Sequence, residues 1–136
     1  MAPGGVIGAR WALGTLCFVD ASDSIRFANE WIAHWNARDV EAVLSHFADD
    51  VVFTSPTALR FVPESGGIVH GKDALRSYWT VALNGIPDLH FELVATYVGI
   101  DIIVINYRNQ RGVLVNEVLT FRGELIVAGF ASHLID

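Results

Sequence analysis

The sequence from Leu89 onward consists of apolar, strand-like segments separated by short turns, and this feature limits the possible folds most strongly. The segments read "LHFELVATYVG", "IDIIVINYRN", "VLVNEVLTF" and "LIVAGFASHLI", with turns at "QRG" and "RGE". Consecutive strands joined by tight turns form an antiparallel meander. Stretches such as "IIVI" are apolar on both faces, whereas a sheet with one wet face alternates. The sequence therefore predicts that one face lies beneath helices and that the other packs on a second copy across a two-fold axis.

The first half of the chain predicts the helices that cover this sheet. Apolar residues at helical spacing predict a helix over "DASDSIRFANEWIAHWNARD" and a shorter one over "DVEAVLSHF". A short strand, "DVVFTS", comes next, followed by a loop over residues 56–70 and a third helix, "GKDALRSYWTVALN". Helices segregated from an antiparallel sheet define an α+β domain, so we expect a curved sheet wrapped around three helices with a cavity between the layers.

Residues 1–21 are expected to form an arm outside the domain, which then spans residues 22–136. The first 19 residues are apolar and glycine-rich, but Arg10 lies inside the apolar run and no clear cleavage site follows, unlike in a secretory signal. The run is also too short to span a bilayer. We therefore expect a cytoplasmic protein with no membrane partner, whose arm packs on the body or on a partner subunit.

Charge and motif content argue against several classes of function. Net charge is −6 and the nine Lys and Arg residues do not cluster, which argues against nucleic-acid binding. Cys17 is the only cysteine, so neither an internal disulfide nor a thiolate metal cage can form. The five histidines lack the spacing of a metal site, and no glycine-rich phosphate loop occurs. We therefore expect neither a metal nor a cofactor.

Glu117 is the strongest candidate for acid or base chemistry. It lies in "VLVNEVLTF", a strand otherwise apolar on both faces, with Val115 and Leu119 on its own side. An isolated buried charge is too costly, so a carboxyl group there either has a raised pKa or pairs with a cation. We expect Glu117 to be an acidic group inside the cavity. The alternative is a structural ion pair or a residue at a dimer interface.

The length of the turn before this strand decides which residues can reach Glu117. A two-residue turn within "QRG" places Asn106 and Arg108 on the face of Glu117. A three-residue turn reverses this parity and brings Ile105 and Tyr107 forward instead. With the first parity, Arg108 can hold Glu117 ionised and Asn106 can orient a substrate carbonyl or a water. The sequence leaves both parities open.

Aromatic and hydroxyl side chains on the predicted elements are candidates to line the cavity. Rings at helical spacing are usually core, but those that border a cavity favour a flat, apolar ligand. The predicted ligand-binding residues are Trp31, Trp35, Phe53, Ser55, Tyr78, Trp79, Arg108, Phe130 and Ser132.

Four stretches together resemble the nuclear transport factor 2-like superfamily, and within it the SnoaL-like and ketosteroid-isomerase-like branch. They are "WNARDVEAVLSHFADDVVFTSP", "VHGKDALRSYW", "PDLHFEL" and "EVLTFRGELIVAGFASH". The resemblance covers residues 22–136 and implies a cone-shaped, cystatin-like α+β fold. This superfamily places isomerases, cyclases, dehydratases, epoxide hydrolases and non-catalytic modules on one scaffold, so the resemblance predicts the fold more narrowly than the reaction.

The resemblance transfers to individual positions only in part. Ketosteroid isomerases carry a general-base aspartate where the first strand exits before a proline, and the matching residue here is Ser55, which cannot take a proton without a base beside it. Their oxyanion-hole tyrosine corresponds to Trp31, which can donate a hydrogen bond but cannot act as an acid. Their protonated aspartate corresponds in kind to Glu117, and the resemblance to polyketide cyclases of this group also implies an acid/base role there.

We therefore expect a cofactor-independent isomerase, cyclase or lyase that acts on a small hydrophobic carbonyl compound. In this hypothesis Glu117 shuttles a proton, Asn106 and Trp31 hydrogen-bond the developing oxyanion, and Ser55 with Tyr78 positions the ligand. The alternative is a non-catalytic small-molecule-binding or dimeric assembly module, which the lack of a second visible proton-transfer group favours. An epoxide hydrolase needs two carboxylates around an arginine, and the sequence supplies only part of that set.

Overall fold

The computed structural model describes residues 21–135 of the chain. The predicted N-terminal arm lies outside this range except for Ala21, and so does Cys17. The helices are α1 (Ala21–Asn36), α2 (Val40–Leu44), α3 (Pro56–Phe61) and α4 (Lys72–Gly85), and a single 3₁₀ turn spans Pro63–Ser65. The strands are β1 (Phe47–Thr54), β2 (Ile68–His70), β3 (Glu92–Gly99), β4 (Ile102–Arg108), β5 (Leu114–Arg122) and β6 (Leu125–His133).

Six strands form one curved, unclosed sheet in the order β2-β1-β6-β5-β4-β3. Strands β3 to β6 pair antiparallel in chain order, as the predicted meander requires. Strand β1 joins this meander through a parallel pairing with β6, and β2 adds antiparallel to the other side of β1. The predicted α+β class, a curved sheet with helices on one face, is confirmed.

The predicted loop over residues 56–70 is wrong, because this segment contains α3, the 3₁₀ turn and β2. Pro56 is the first residue of α3, a position where its missing N–H removes no helical hydrogen bond. Gly66 follows the 3₁₀ turn with a φ of 67°, a left-handed conformation that glycine adopts without strain. The prolines and glycines therefore mark the ends of short elements rather than a continuous loop.

Helix α1 packs against the rest of the domain through one apolar face. Phe27, Trp31 and Trp35 recur every four residues and are all buried, in keeping with the period of a helix. Just after the helix, the guanidinium of Arg38 donates to the backbone carbonyl of Leu83 in α4. Arg38 also donates to the carbonyl of Ile86, just after α4, and the two contacts tie the end of α1 to the end of α4.

An aromatic cluster around Trp79 occupies part of the space between helices and sheet. Its ring meets those of Trp35, Phe47 and Phe53 edge-on, at centroid distances of 4.9, 5.2 and 5.5 Å. This edge-to-face arrangement is the one that aromatic pairs favour. On the sheet side, Phe53 lies directly over Gly129, where a Cβ atom would stand 2.5 Å from the Phe53 Cδ1 atom. The glycine is therefore needed for the ring to occupy this place.

The strand register separates an inner face, beneath the helices, from an outer face. Tyr97, Val104, Val118 and Phe130 pair with one another in that order across β3, β4, β5 and β6. They form a row on the outer face, named here the outer apolar row. Tyr97 is 61% exposed and Phe130 is 48% exposed. In a single chain, both ends of this row are therefore accessible to a partner.

Candidate functional site

A cavity of about 160 Å³ opens between the inner face of the sheet and helices α1, α3 and α4. The rings of Trp35, Phe53, Trp79 and Phe91 contribute its apolar walls. Glu117 of β5 also lines this cavity. Apolar walls around a few polar groups are typical of small-molecule binding sites.

Glu117 is deeply buried and has a single hydrogen-bond partner in the described structure. The hydroxyl of Tyr107, on β4, donates to Glu117 Oε1 at 3.0 Å. Glu117 Oε2 is buried and accepts or donates no hydrogen bond within residues 21–135. Burial raises the pKa of Glu117 to about 8, and the hydrogen bond from Tyr107 opposes part of this rise. The carboxyl group is therefore mostly protonated at neutral pH, although its ionised form remains accessible.

The Tyr107 hydrogen bond distinguishes the two oxygens of Glu117. When Glu117 is ionised, Oε1 accepts the Tyr107 hydroxyl hydrogen and Oε2 accepts none from the described residues. Burial and the neighbouring negative charge of ionised Glu117 raise the pKa of Tyr107 well above its ordinary value, which keeps the phenol protonated as a donor. Tyr107 therefore pairs with one carboxylate oxygen and leaves the other, Oε2, without a partner among the described residues.

Two of the predicted positioning residues, Ser55 and Tyr78, line the cavity together. Ser55 Oγ accepts a 3.1 Å hydrogen bond from the backbone N–H of Thr57 and caps α3. Burial raises the pKa of Tyr78, and hydrogen bonding to the Ser55 side chain opposes this rise. The serine at the strand exit thus has a clear local function as a helix cap.

The expected placement of Asn106 and Arg108 beside Glu117 is wrong. The turn between β4 and β5 closes with three residues, because Asn109 N donates to the Val113 carbonyl at 2.9 Å. Strand pairing then places Ile105, not Asn106, opposite Glu117. This is the second of the two parities left open by the sequence.

The side chains of Asn106 and Arg108 consequently form their hydrogen bonds outside the cavity. Asn106 Nδ2 donates to Asn116 Oδ1 at 2.8 Å on the outer face. Arg108 Nη1 donates to the carbonyl of Gly112, in the turn itself, at 3.1 Å. Neither side chain lines the cavity, so neither has the predicted contact with a substrate carbonyl or with the carboxyl group.

Phe130 and Ser132 also lie on the outer face, contrary to the predicted cavity positions. They pair with Val118 and Asn116 in the neighbouring strand, and both are exposed. The intervening residue, Ala131, lines the cavity because successive side chains of a strand point to opposite faces. The sequence of β6 is apolar enough on both sides to hide this alternation.

Trp31 is core rather than cavity lining. Its ring packs between those of Trp35, Phe91 and Tyr107, at centroid distances of 5.9, 6.4 and 5.7 Å. It is 1% exposed and does not line the cavity. The predicted contact between its indole N–H and a substrate oxyanion is therefore wrong, and Trp35 is the α1 tryptophan that borders the cavity.

Several polar residues of the cavity were not among the predicted ligand-binding residues. Tyr107 was expected at the cavity only if the turn before β5 had three residues. His133, at the end of β6, also lines the cavity. Burial lowers the pKa of His133, so it is uncharged at neutral pH. Arg60 and Arg111 line the cavity too, from α3 and from the β4–β5 turn. The one feature of the sequence that could have indicated Arg111 is the glycine after it, Gly112. Its φ of 79° is the left-handed conformation that closes a three-residue turn.

Comparison with known proteins agrees with this architecture. Residues 28–128 match the model of the SnoaL-like domain. The chain belongs to the SnoaL-like domain family. The resemblance predicted from the four sequence stretches is thereby confirmed, and the match runs from within α1 to within β6.

Solved structures of SnoaL-like and related proteins share this fold. A SnoaL-like protein of unknown function from Burkholderia thailandensis is 40% identical, with 82% of this chain and 94% of that chain covered and a TM-score of 0.77. A cystatin-fold protein from Novosphingobium aromaticivorans is 20% identical over 80% and 97% of the two chains, with a TM-score of 0.65. A candidate polyketide cyclase from Sinorhizobium meliloti is 16% identical over 79% and 94%, also with a TM-score of 0.65. No functionally curated protein gives a significant match.

Within residues 21–135, no group of three or more His, Cys, Asp or Glu side chains is arranged to hold a metal ion. The helices of the same residues include none that is both long enough and apolar enough to cross a bilayer.

Proposed function

We propose that this SnoaL-like protein is a cofactor-independent isomerase, cyclase or lyase that moves a proton on a small carbonyl compound bound in the cavity. The observation that carries this proposal is the state of Glu117. Glu117 lines the cavity, its Oε1 accepts from Tyr107, and its buried Oε2 has no hydrogen-bond partner among the described residues. A substrate atom is the natural partner for such an oxygen, because an unsatisfied buried polar atom is costly.

The reaction begins with proton transfer from the carbon next to the carbonyl group. Ionised Glu117 takes this proton on Oε2, and the electron pair of the C–H bond forms an enolate. The same carboxyl group then returns the proton to a different carbon in an isomerisation, or to a leaving group in a lyase reaction. A pKa of about 8 suits both steps near neutral pH, because acid and base forms are both populated.

Trp35 supports the proposal as the donor for the enolate oxygen, in place of the predicted Asn106 and Trp31. Its indole ring lines the cavity, and its buried Nε1–H group donates to no residue of the described chain. A fixed donor aimed at developing negative charge in a buried site stabilises the transition state. Ser55 and Tyr78, which also line the cavity, position the body of the ligand.

The second candidate function is a small-molecule-binding module without catalysis. It is favoured by the content of the cavity, in which Glu117 is the sole carboxyl group among the described lining residues. Glu117 is then the one carboxyl group available for proton transfer, and the His133 imidazole is the other side chain of the lining that titrates near neutral pH. The relatives do not decide between the two functions, since a likeness at 16% identity to a candidate polyketide cyclase concerns the fold.

We also propose that two copies associate through the outer faces of their sheets. The outer apolar row of Tyr97, Val104, Val118 and Phe130 supports this, since a row of this kind gains from exclusion of water. Analytical ultracentrifugation tests it directly. Phe130→Glu should convert a dimer to a monomer, and a wild-type protein that sediments as a monomer at high concentration contradicts the association.

Proton transfer is tested by hydrogen exchange of a model ketone. Methyl para-acetylbenzoate is incubated with the protein in deuterium oxide, and proton NMR follows loss of its acetyl methyl signal. Glu117→Gln keeps the size of the side chain and should lower the exchange rate by about 10²–10⁴-fold while ligand affinity is retained. Exchange that survives this substitution removes Glu117 from the mechanism. Binding without any exchange by the wild-type protein supports the binding module instead.

A further inference from the structure

We propose that Arg60 and Arg111 bind an anionic group of the substrate, so that the substrate is a single-ring-sized carbonyl compound with a carboxylate at the end away from Glu117. This inference rests on the proposed function for the position of the carbonyl group, and it adds a recognition site for the other end of the ligand. Both arginines are exposed and line the cavity, from separate elements.

These two arginines differ from the others in the described chain. Arg26, Arg76 and Arg122 each bind a carboxylate. Arg38 and Arg108 donate to backbone carbonyl groups, as described above. Within residues 21–135, the guanidinium groups of Arg60 and Arg111 have neither kind of partner. The guanidinium groups that lack a hydrogen-bonding or ionic partner are therefore the two that border the cavity.

Contacts within the chain hold the backbone at Arg111 and the side chain of Arg60. The turn that carries Arg111 is held by Asn109, whose Oδ1 accepts from the N–H groups of Arg111 and Val113 at 2.9 and 3.1 Å. The guanidinium of Arg60 lies 4.7 Å from the centre of the Phe61 ring, a cation–π contact that restricts it. A preorganised guanidinium group loses less entropy on binding a ligand than a free one does.

The charge of the cavity lining contrasts with that of the whole chain. The chain carries a net charge of −6, yet the described residues that line the cavity include two arginines and only one carboxyl group, Glu117. Glu117 is itself mostly protonated at neutral pH because of its burial. The cavity therefore offers a local positive potential that attracts anions, while the acidic surface elsewhere repels them.

The size of the cavity suits a ligand whose enclosed part is about one ring. Its volume is about 160 Å³. An engineered apolar cavity of about 150 Å³ in another protein takes up benzene. A ring between the aromatic walls, with a carbonyl group toward Glu117, leaves a substituent on the opposite side of the ring near the cavity mouth. Charge-assisted bonds from a guanidinium group suit a carboxylate there.

The experiment compares two ligands that differ only in this charge. Para-acetylbenzoate and its methyl ester share the ring and the ketone, and saturation-transfer NMR or calorimetry measures the affinity of each. We expect the acid to bind roughly tenfold more tightly than the ester, with a preference that weakens as salt is added. Arg60→Gln and Arg111→Gln should each weaken the acid by roughly threefold and leave the ester nearly unchanged.

Arg122→Gln is the matched control, because it removes the same charge from an arginine that does not line the cavity. It should leave the preference for the acid intact. The proposal is overturned if the acid binds no tighter than the ester, if the arginine variants weaken both ligands alike, or if the acid does not bind below about 10 mM.

Failure of this proposal can be told apart from failure of the proposed function. Glu117→Gln should retain the preference for the acid, because Glu117 is not among the residues that contact the carboxylate. If the protein prefers the acid but exchanges no ketone hydrogens, the result supports the anion site and contradicts the proposed catalysis. A protein that exchanges the hydrogens of acid and ester alike, with equal affinity, keeps catalysis and loses the anion site.

Discussion

The hydroxyl of Tyr107 donates a 3.0 Å hydrogen bond to Glu117 Oε1 across the boundary between β4 and β5. The two residues are diagonal neighbours on the inner face, since Val115 lies directly opposite Tyr107 and Ile105 opposite Glu117. Both side chains are buried, so the bond forms where electrostatic effects are strong. The acidity of the cavity carboxyl group therefore depends on this pair and not on Glu117 alone.

Tyr107→Phe should raise the pKa of Glu117 above its value of about 8. The hydrogen bond from Tyr107 lowers this pKa by stabilising the ionised carboxylate, and phenylalanine cannot donate it. Carbon NMR titration of the labelled Glu117 carboxyl group measures the change. The pH at which ketone exchange reaches half its maximum should move upward with it. An unchanged or lower pKa contradicts the proposed hydrogen-bond direction.

Glu117 should also make the protein less stable as pH rises from about 4.5 to about 8. Burial raises its pKa from 4.5 to about 8, so the folded protein holds a proton that the unfolded chain has already released in this window. The folded state loses this advantage as pH rises through the folded pKa. Urea denaturation at several pH values measures the free energy of unfolding, and the expected loss is on the order of a few kcal/mol.

The matched variant for this measurement is Glu117→Gln, which has no titrating group at this position. Its free energy of unfolding should lack the part of the pH dependence that Glu117 contributes. The difference between wild type and variant should therefore change across the window and become constant above it. Parallel curves over the whole range are the result that contradicts a buried, neutral Glu117.

The sequence was sufficient to predict that Glu117 is buried or paired, but not which residue contacts it. A carboxyl group in a strand that is apolar on both sides must be buried or paired, whatever the fold, and that argument requires no register. The identity of the partner depends on register, because one added residue in the turn exchanges Arg108 for Tyr107. The sequence "QRG" permits both a three-residue turn and a two-residue turn.

Strand orientation limited the site predictions on β6 in the same way. Helical spacing identified Trp35 and Tyr78, because a helix has one apolar stripe and its direction follows from the pattern. Phe130 and Ser132 lie on a strand whose two faces are similarly apolar, so alternation gave no indication of which face was inner. The outer apolar row makes the two sheet faces alike in sequence, and only the three-dimensional pairing separates them.

Gly129→Ala should destabilise the fold by about 1–3 kcal/mol through overpacking. A Cβ atom at this position would lie 2.5 Å from Phe53 Cδ1, and Phe53 is itself held by the ring of Trp79. Gly99→Ala is the control, since its Cβ would meet the Ile102 side chain at an ordinary 3.7 Å. Chemical denaturation compares the two variants, and an equal effect from both would remove the claimed role of Gly129.

Trp35→Phe should slow ketone exchange by about 10²-fold, with affinity for the ketone reduced much less. The substitution keeps an aromatic wall of the cavity but removes the unpartnered Nε1–H group proposed to stabilise the enolate oxygen. Trp31→Phe is an unusually close control, because Trp31 also has a buried Nε1–H group without a partner in the described residues but does not line the cavity. Exchange rates and ligand affinities are measured for both proteins. If the two variants lose activity to the same extent, the effect arises from core packing and Trp35 is not the oxyanion donor.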